Sequence, residues 1–221
     1  MIVKLLAATA LLILPASAPS QLASGYSGQA GVTYGTEDDY WWALQQLGSC
    51  LAMAKRRDST SLLSAPVHSR DATAAFKRLV GKETSCLRWF TAMRVAEVDL
   101  RGSIAEALYE AQLTSVPSPA PVPEQAALPL GEARKMGSYG IIRSFASCFA
   151  AAYPDKVHGL LATTKLGSRK EKEMLGGFSE EIGSCLPRNI QFDVPPAQLR
   201  LALAEAIYER SRGALSAQVS P

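Results

Sequence analysis

LRGSIAEALYE at positions 100–110 and LRLALAEAIYE at 199–209 are identical at seven of eleven positions, and two of the four differences exchange isoleucine and leucine. On a helical wheel Leu100, Ile104, Ala107 and Leu108 form one apolar stripe, matched by Leu199, Leu203, Ala206 and Ile207. The chain therefore carries the same amphipathic helix twice. The shared residues run around the whole helix, however, which is more than one core stripe demands: Arg101, Ala105 and Tyr109 adjoin the stripe, while Glu106 and Glu110 lie opposite. Arg101 and Glu106 are five positions apart, as are Arg200 and Glu205, so neither pair meets easily within one helix. Their partners are expected on a neighbouring helix or in the other copy. Two readings follow. The favoured one is a duplicated helix packed on two sides. The other is a polar recognition surface presented twice, with Arg101, Glu106, Tyr109, Arg200, Glu205 and Tyr208 as candidate interaction residues.

The cysteines extend the duplication. Cys50, Cys86, Cys148 and Cys185 stand in the contexts GSCL, TSCL, ASCF and GSCL. Cys50 and Cys148 are 98 positions apart, as are Leu62-Leu63 and Leu160-Leu161, whereas Ser69/Ser168, Cys86/Cys185 and Tyr109/Tyr208 are offset by 99. One inserted residue between Leu161 and Ser168 accounts for the change and is expected in an interhelix loop. The repeat runs from about Leu47 to Glu110 and from about Phe145 to Glu209. Four cysteines allow three pairings. Pairing within each repeat is expected, because each unit then closes on itself, although a two-fold arrangement would also allow cross-repeat bridges. A bridge closing a loop of this length is worth about 4 kcal/mol in the chain-entropy account.

The predicted architecture is all-α: two tandem helical repeats of about four helices each, with one disulfide per repeat. Residues 36–113 form the first and 131–212 the second. In the first, Thr36 is placed to cap a helix running to about Arg57 that buries Trp41, Leu44, Leu47, Leu51 and Ala54. Its counterpart starts near Gly137 and carries Ile141, Ile142, Phe145 and Phe149. Short second helices follow, with Asp58 as a cap for one and Pro154 in the first turn of the other. Third helices begin after Ser69 and Ser168. Residues 88–96 and 187–195 read ambiguously, since Trp89, Phe90 and Met93 suit a helix while Ile190 and Phe192 alternate as in a strand. Between the repeats, TSVPSPAPVPEQAALPL (114–130) holds five prolines and reads as a semi-stiff spacer. The tail 213–221 is expected to fray.

At the other end, Lys4, the apolar run LLAATALLIL, Pro15 and the small residues Ala16-Ser17-Ala18 follow the order of a secretory signal peptide. Residues 1–20 are assigned to it, with cleavage after Ala18 or Ser20, and 21–35 to a Gly/Ser-rich leader. The run is too short to span a bilayer, and no later segment is apolar enough. Export to the periplasm or beyond the cell is expected, where an even cysteine count favours disulfides. The net charge of +3 gives no reason to expect a nucleic-acid or membrane-surface partner. The basic run Arg169, Lys170 and Lys172, interleaved with Glu171 and Glu173, reads as a solvated helix face.

No catalytic, cofactor-binding or metal-ligating set stands out. His68 and His158 are not equivalent in the repeat and are read as surface histidines; neither HExxH, CxxC nor GxSxG occurs, nor a Gly-rich phosphate loop. Trp41 and Trp42 are the richest aromatic spot. Neighbours on a helix point about 100° apart, so both cannot face one core stripe; the readings, in order, are the core edge, a protein contact and a sugar-stacking platform, and both are candidate interaction residues.

Ser49-Cys50, Ser85-Cys86-Leu87 and Leu100–Tyr109, with their second copies, resemble a group of uncharacterised exported bacterial proteins. Those carry a signal peptide, one such cysteine pair per repeat and an LRGxxAEALY-like helix; Leu201 departs from the glycine at Gly102. The resemblance implies a Gram-negative periplasmic or secreted setting and implies no activity. The functional expectation is a non-enzymatic helical interaction or scaffold module, binding a protein partner or itself through the paired fourth helices. The alternative is an envelope hydrolase or small-ligand carrier with a site between the repeats.

Overall fold

The computed structural model describes residues 37–81, 85–87, 95–112, 116–120, 137–186 and 193–219. The chain divides into Met1–Ala30, which lies outside those residues, and Gly31–Pro221, which holds every described element. The expected signal peptide, leader and Thr36 cap, most of the proline-rich spacer, and the ambiguous residues 88–94 and 187–192 also lie outside.

Every regular element among the described residues is a helix. The first half has α1 (Glu37–Ala54), α2 (Arg56–Ser64), α3 (Arg70–Leu79), a 3-10 turn (Ser85–Leu87) and α4 (Glu97–Gln112). The second has α5 (Gly137–Ala152), α6 (Pro154–Thr163), α7 (Arg169–Gly176), α8 (Ser179–Cys185) and α9 (Pro196–Val219). Disulfides join Cys50 to Cys86 and Cys148 to Cys185, one within each half.

Local chemistry sets the matching boundaries. Ser69 and Ser168 each accept a hydrogen bond from the third residue on, Ala72 N at 3.1 Å and Glu171 N at 3.2 Å. That satisfies one of the amides a helix start leaves unpaired. Each preceding turn needs a residue in the left-handed region, at the same offset: His68 at φ 60° and Gly167 at φ 79°. Pro66 favours extended geometry in Ala65, which ends α2. α7 ends at Gly176-Gly177, two residues before α8 starts at Ser179.

Several boundaries differ from the sequence reading. The first helix stops at Ala54 rather than Arg57, and α2 starts at Arg56, so Asp58 sits in its first turn and not at the cap. Ala54 is exposed, while Ala43 and Ala52 join Trp41, Leu44, Leu47 and Leu51 inside. The inserted residue falls in the second helix itself, since α6 has ten residues and α2 nine. The last helix continues to Val219, past the expected fraying point.

The core is organised around α4 and α9. These pack on each other, α1 packs on α4, and α5 packs on α9. Leu100 to Glu106 are buried without interruption, as are Leu199 to Tyr208. Over these residues both copies of the duplicated peptide are enclosed on all sides, as the two-sided packing reading expects, while Glu110 is exposed and Glu209 half-buried.

Candidate functional site

Burying every face of α4 and α9 puts charges inside, and the structure pairs them across the halves. Arg101 donates to Glu205 through Nε at 2.9 Å and Nη2 at 2.6 Å. Arg200 donates to Glu106 through Nε at 3.1 Å and Nη2 at 2.7 Å. Both guanidinium groups are fully buried. Their remaining N–H groups end a neighbouring helix: Arg101 reaches the carbonyls of Leu62, Leu63 and Ala65, and Arg200 those of Leu160, Leu161 and Thr164. The last carbonyls of a helix lack internal donors and carry its negative dipole end, so a cation there serves both needs. Each arginine thus closes the second helix of its own half while gripping the last helix of the other.

The two ends of this arrangement are unlike. Glu205 also accepts from Tyr139 Oη at 3.0 Å and Arg143 Nη1 at 3.3 Å, and Arg143 continues to Glu209 at 2.5 Å. Burial raises the Tyr139 hydroxyl and the Glu209 carboxyl above their ordinary ranges. Glu106 has Gln45 Nε2 at 2.8 Å instead. Near Arg200 lies a second carboxylate, Glu171, fully buried: its Oε2 accepts from Gly167 N at 2.9 Å, while Oε1 stands 3.7 Å from Arg200 Nε. Burial pushes the Glu171 carboxyl up to about 7, against the opposing pull of Arg200. Glu171 therefore does not belong to a solvated face; Arg169, Lys170, Lys172 and Glu173 around it are exposed.

Arg101, Glu106, Tyr109, Arg200, Glu205 and Tyr208 are consequently interior, not a surface presented twice. The Tyr109 ring meets His158 edge-on at 6.1 Å, making that histidine half-buried, and burial with Asp155 nearby pushes the hydroxyl to about 12. Tyr208 lies under the Arg212 guanidinium, 5.9 Å from its ring centre. The paired helices α4 and α9 are used up inside the chain, and they pack on each other where the alternative reading placed a site between the repeats.

The tryptophan pair divides as neighbours on a helix must. Trp41 is buried and Trp42 is 57 % exposed. Met53, which the sequence reading did not single out, is 71 % exposed. Trp42, Gln46, Ser49 and Met53 fall on one face of α1, and all four are exposed. The equivalent positions of α5, 98 residues later, are Gly140, Ser144, Ser147 and Ala151; the first two are buried and the others half-buried. At one end of that covered face lies the spacer segment 116–120. Ala120 N donates to the Ala151 carbonyl at 3.0 Å, and Arg210 Nη2 donates to the Ser118 carbonyl at 2.6 Å. This part of the spacer is docked on the second half.

An open cavity of about 580 Å³ is lined by Arg56, Arg57, Thr60, Ser61 and Ser64, all on α2. The Thr60 and Ser61 hydroxyls donate to carbonyls of α2 itself. Among the described residues no group of three His, Cys, Asp or Glu side chains could hold a metal ion, and no helix is long and apolar enough to cross a membrane. No family model, no curated protein and no solved structure matches the chain.

Proposed function

We propose that this protein is a non-enzymatic interaction module of the periplasm or the secreted space, and that it meets its partner through the outer face of α1. The observation that carries the reading is the exposure of Trp42 and Met53 on one face of a helix whose opposite side holds Trp41, Leu44, Leu47 and Leu51 in the core. Tryptophan and methionine are enriched where proteins touch, and a rigid helix anchored by the Cys50–Cys86 bridge presents them at little cost in lost freedom. The duplicated Arg and Glu residues serve architecture on this reading, which leaves the interaction to residues that differ between the halves. A hydrolase or carrier site between the halves is the weaker reading, because α4 and α9 fill that contact.

The test is site-specific photo-crosslinking in cells that export the protein. A photoreactive residue at Gln46 is expected to give a discrete adduct that disappears in Trp42→Ala, with the far-UV and near-UV circular dichroism of that variant still native. No adduct at Gln46, or an equal one from exposed Glu180 on α8, sinks the reading.

A further inference from the structure

The two halves treat one helix face differently. On α5 Gly140 and Ser144 are buried and Ser147 and Ala151 half-buried; at Trp42, Gln46, Ser49 and Met53 the face of α1 is open. The helices otherwise end alike. Lys55 N bonds the Leu51 carbonyl and Ser59 N the Lys55 carbonyl, and Tyr153 N and Val157 N do the same to Phe149 and Tyr153. Each break leaves late carbonyls of the helix without internal donors. On α5 the Ala151 carbonyl takes the N–H of Ala120, from a segment outside any helix that contains Pro117 and Pro119. Met53 carries the equivalent carbonyl on α1.

We propose that the face of α1 from Trp42 to Met53 binds an extended, proline-containing segment of a partner protein, in the manner in which the second half holds its own residues 116–120. This rests on the outer face of α1 being the contact surface. The size of an extended guest is compatible: the rise of about 16 Å from Trp42 to Met53 is covered by about five residues in polyproline II geometry. The chemistry agrees as well. Proline-rich segments lose little freedom on binding and favour aromatic surfaces, and Trp42 supplies a flat aromatic group where the second half has only Gly140. The first half has Ala111 in place of Arg210, the side chain that grips Ser118. An occupant of α1 is thus held by packing on Trp42 and Met53 more than by a backbone clamp.

The probe is the fluorescent peptide TSVPSPAPVP, residues 114–123 of this chain, titrated into the full protein and followed by anisotropy. Saturable binding is expected, weakened about tenfold or more by Trp42→Ala and by replacing the peptide prolines with alanine, and unchanged by Glu180→Ala. The peptide should also compete with the Gln46 adduct. No saturable binding, or binding indifferent to Trp42→Ala, overturns the proposal. If the Gln46 adduct forms while the peptide neither binds nor competes, the contact surface stands and the assignment of its occupant falls. Sedimentation of the peptide-free protein separates the remaining outcome: self-association abolished by Trp42→Ala makes the occupant a second copy, which also overturns the proposal.

Discussion

Gly102 of α4 lies directly against Leu201 of α9, the residue that occupies its own position 99 residues later. A Cβ placed on Gly102 would stand 2.4 Å from Leu201 Cβ and 2.6 Å from the Leu201 carbonyl oxygen. The two helices therefore cross where equivalent positions meet, as at the axis of a two-fold contact. Arg101 with Glu205 and Arg200 with Glu106 are the reciprocal pairs on either side of that point. Only one of the two central residues can carry a side chain, which explains why the second copy of the peptide departs from the first there.

Gly102→Ala is expected to destabilise the protein by about 1–3 kcal/mol, the usual cost of overpacking. Leu201→Ala should not rescue it, because the obstructing atoms include the backbone of residue 201. Urea denaturation of the single and double variants measures both; full rescue contradicts the close crossing.

The two buried arginines should not be equally costly to remove. Without Arg200, Glu106 retains Gln45 and Glu171 retains the Gly167 amide, leaving two buried carboxylates with no cation in bonding range. Without Arg101, Glu205 keeps Tyr139 and Arg143. Breaking a buried pair on one side costs about 3–5 kcal/mol, so Arg200→Met is expected at that level and Arg101→Met below it. Chemical denaturation gives the comparison; the reverse order would show that carbonyl capping, common to both, outweighs the carboxylates.

Glu171 makes stability depend on pH. Its carboxyl titrates near 7 in the folded chain and near 4.3 when unfolded, so the folded state binds the proton more tightly. Its contribution is fully present below the unfolded value and is lost as pH rises through about 7. Between pH 5 and pH 8 the wild type should therefore lose stability relative to Glu171→Gln, on the order of 1–3 kcal/mol. Thermal unfolding of both proteins across that range checks it, and parallel curves would exclude a buried, proton-binding Glu171.

His68 holds the left-handed conformation that Gly167 holds in the other half. A non-glycine residue there costs about 1 kcal/mol or more. His68→Gly should raise the midpoint of unfolding by a few degrees, since part of the gain is offset by the freedom glycine adds to the unfolded chain. Gly167→Ala should lower it by more, because the new Cβ also meets Trp41 Cβ at 3.1 Å. Scanning calorimetry on the two variants gives opposite shifts or refutes the equivalence.

Much of this was legible in the chain. Ser69 and Ser168 are caps because a side chain three residues from an amide needs nothing but local geometry. Matched spacings of 36 and 37 residues pointed to bridges within each half, and those bridges are present. The five-residue interval between Arg101 and Glu106 made a bond within the helix unfavourable, so partners were expected elsewhere. Other features carried no local sign. Glu171 sits in a run of exposed charges and differs from them only because its turn of α7 faces Arg200. Trp41 and Trp42 are the same residue type side by side, and Met53 reads like any core methionine.

Helical structure, the duplicated peptide with its matched cysteines, and the starts of several helices could be read from the chain alone. All of these follow from periodicity, spacing and bonds between near neighbours in the chain. That the duplicated Arg and Glu are interior clamps, that Trp42 and not Trp41 is outside, and that a face buried or half-buried on α5 is open on α1 emerges only from the packing. Burial is a property of what lies opposite, and for these residues the opposing groups stand some 40 to 100 positions away.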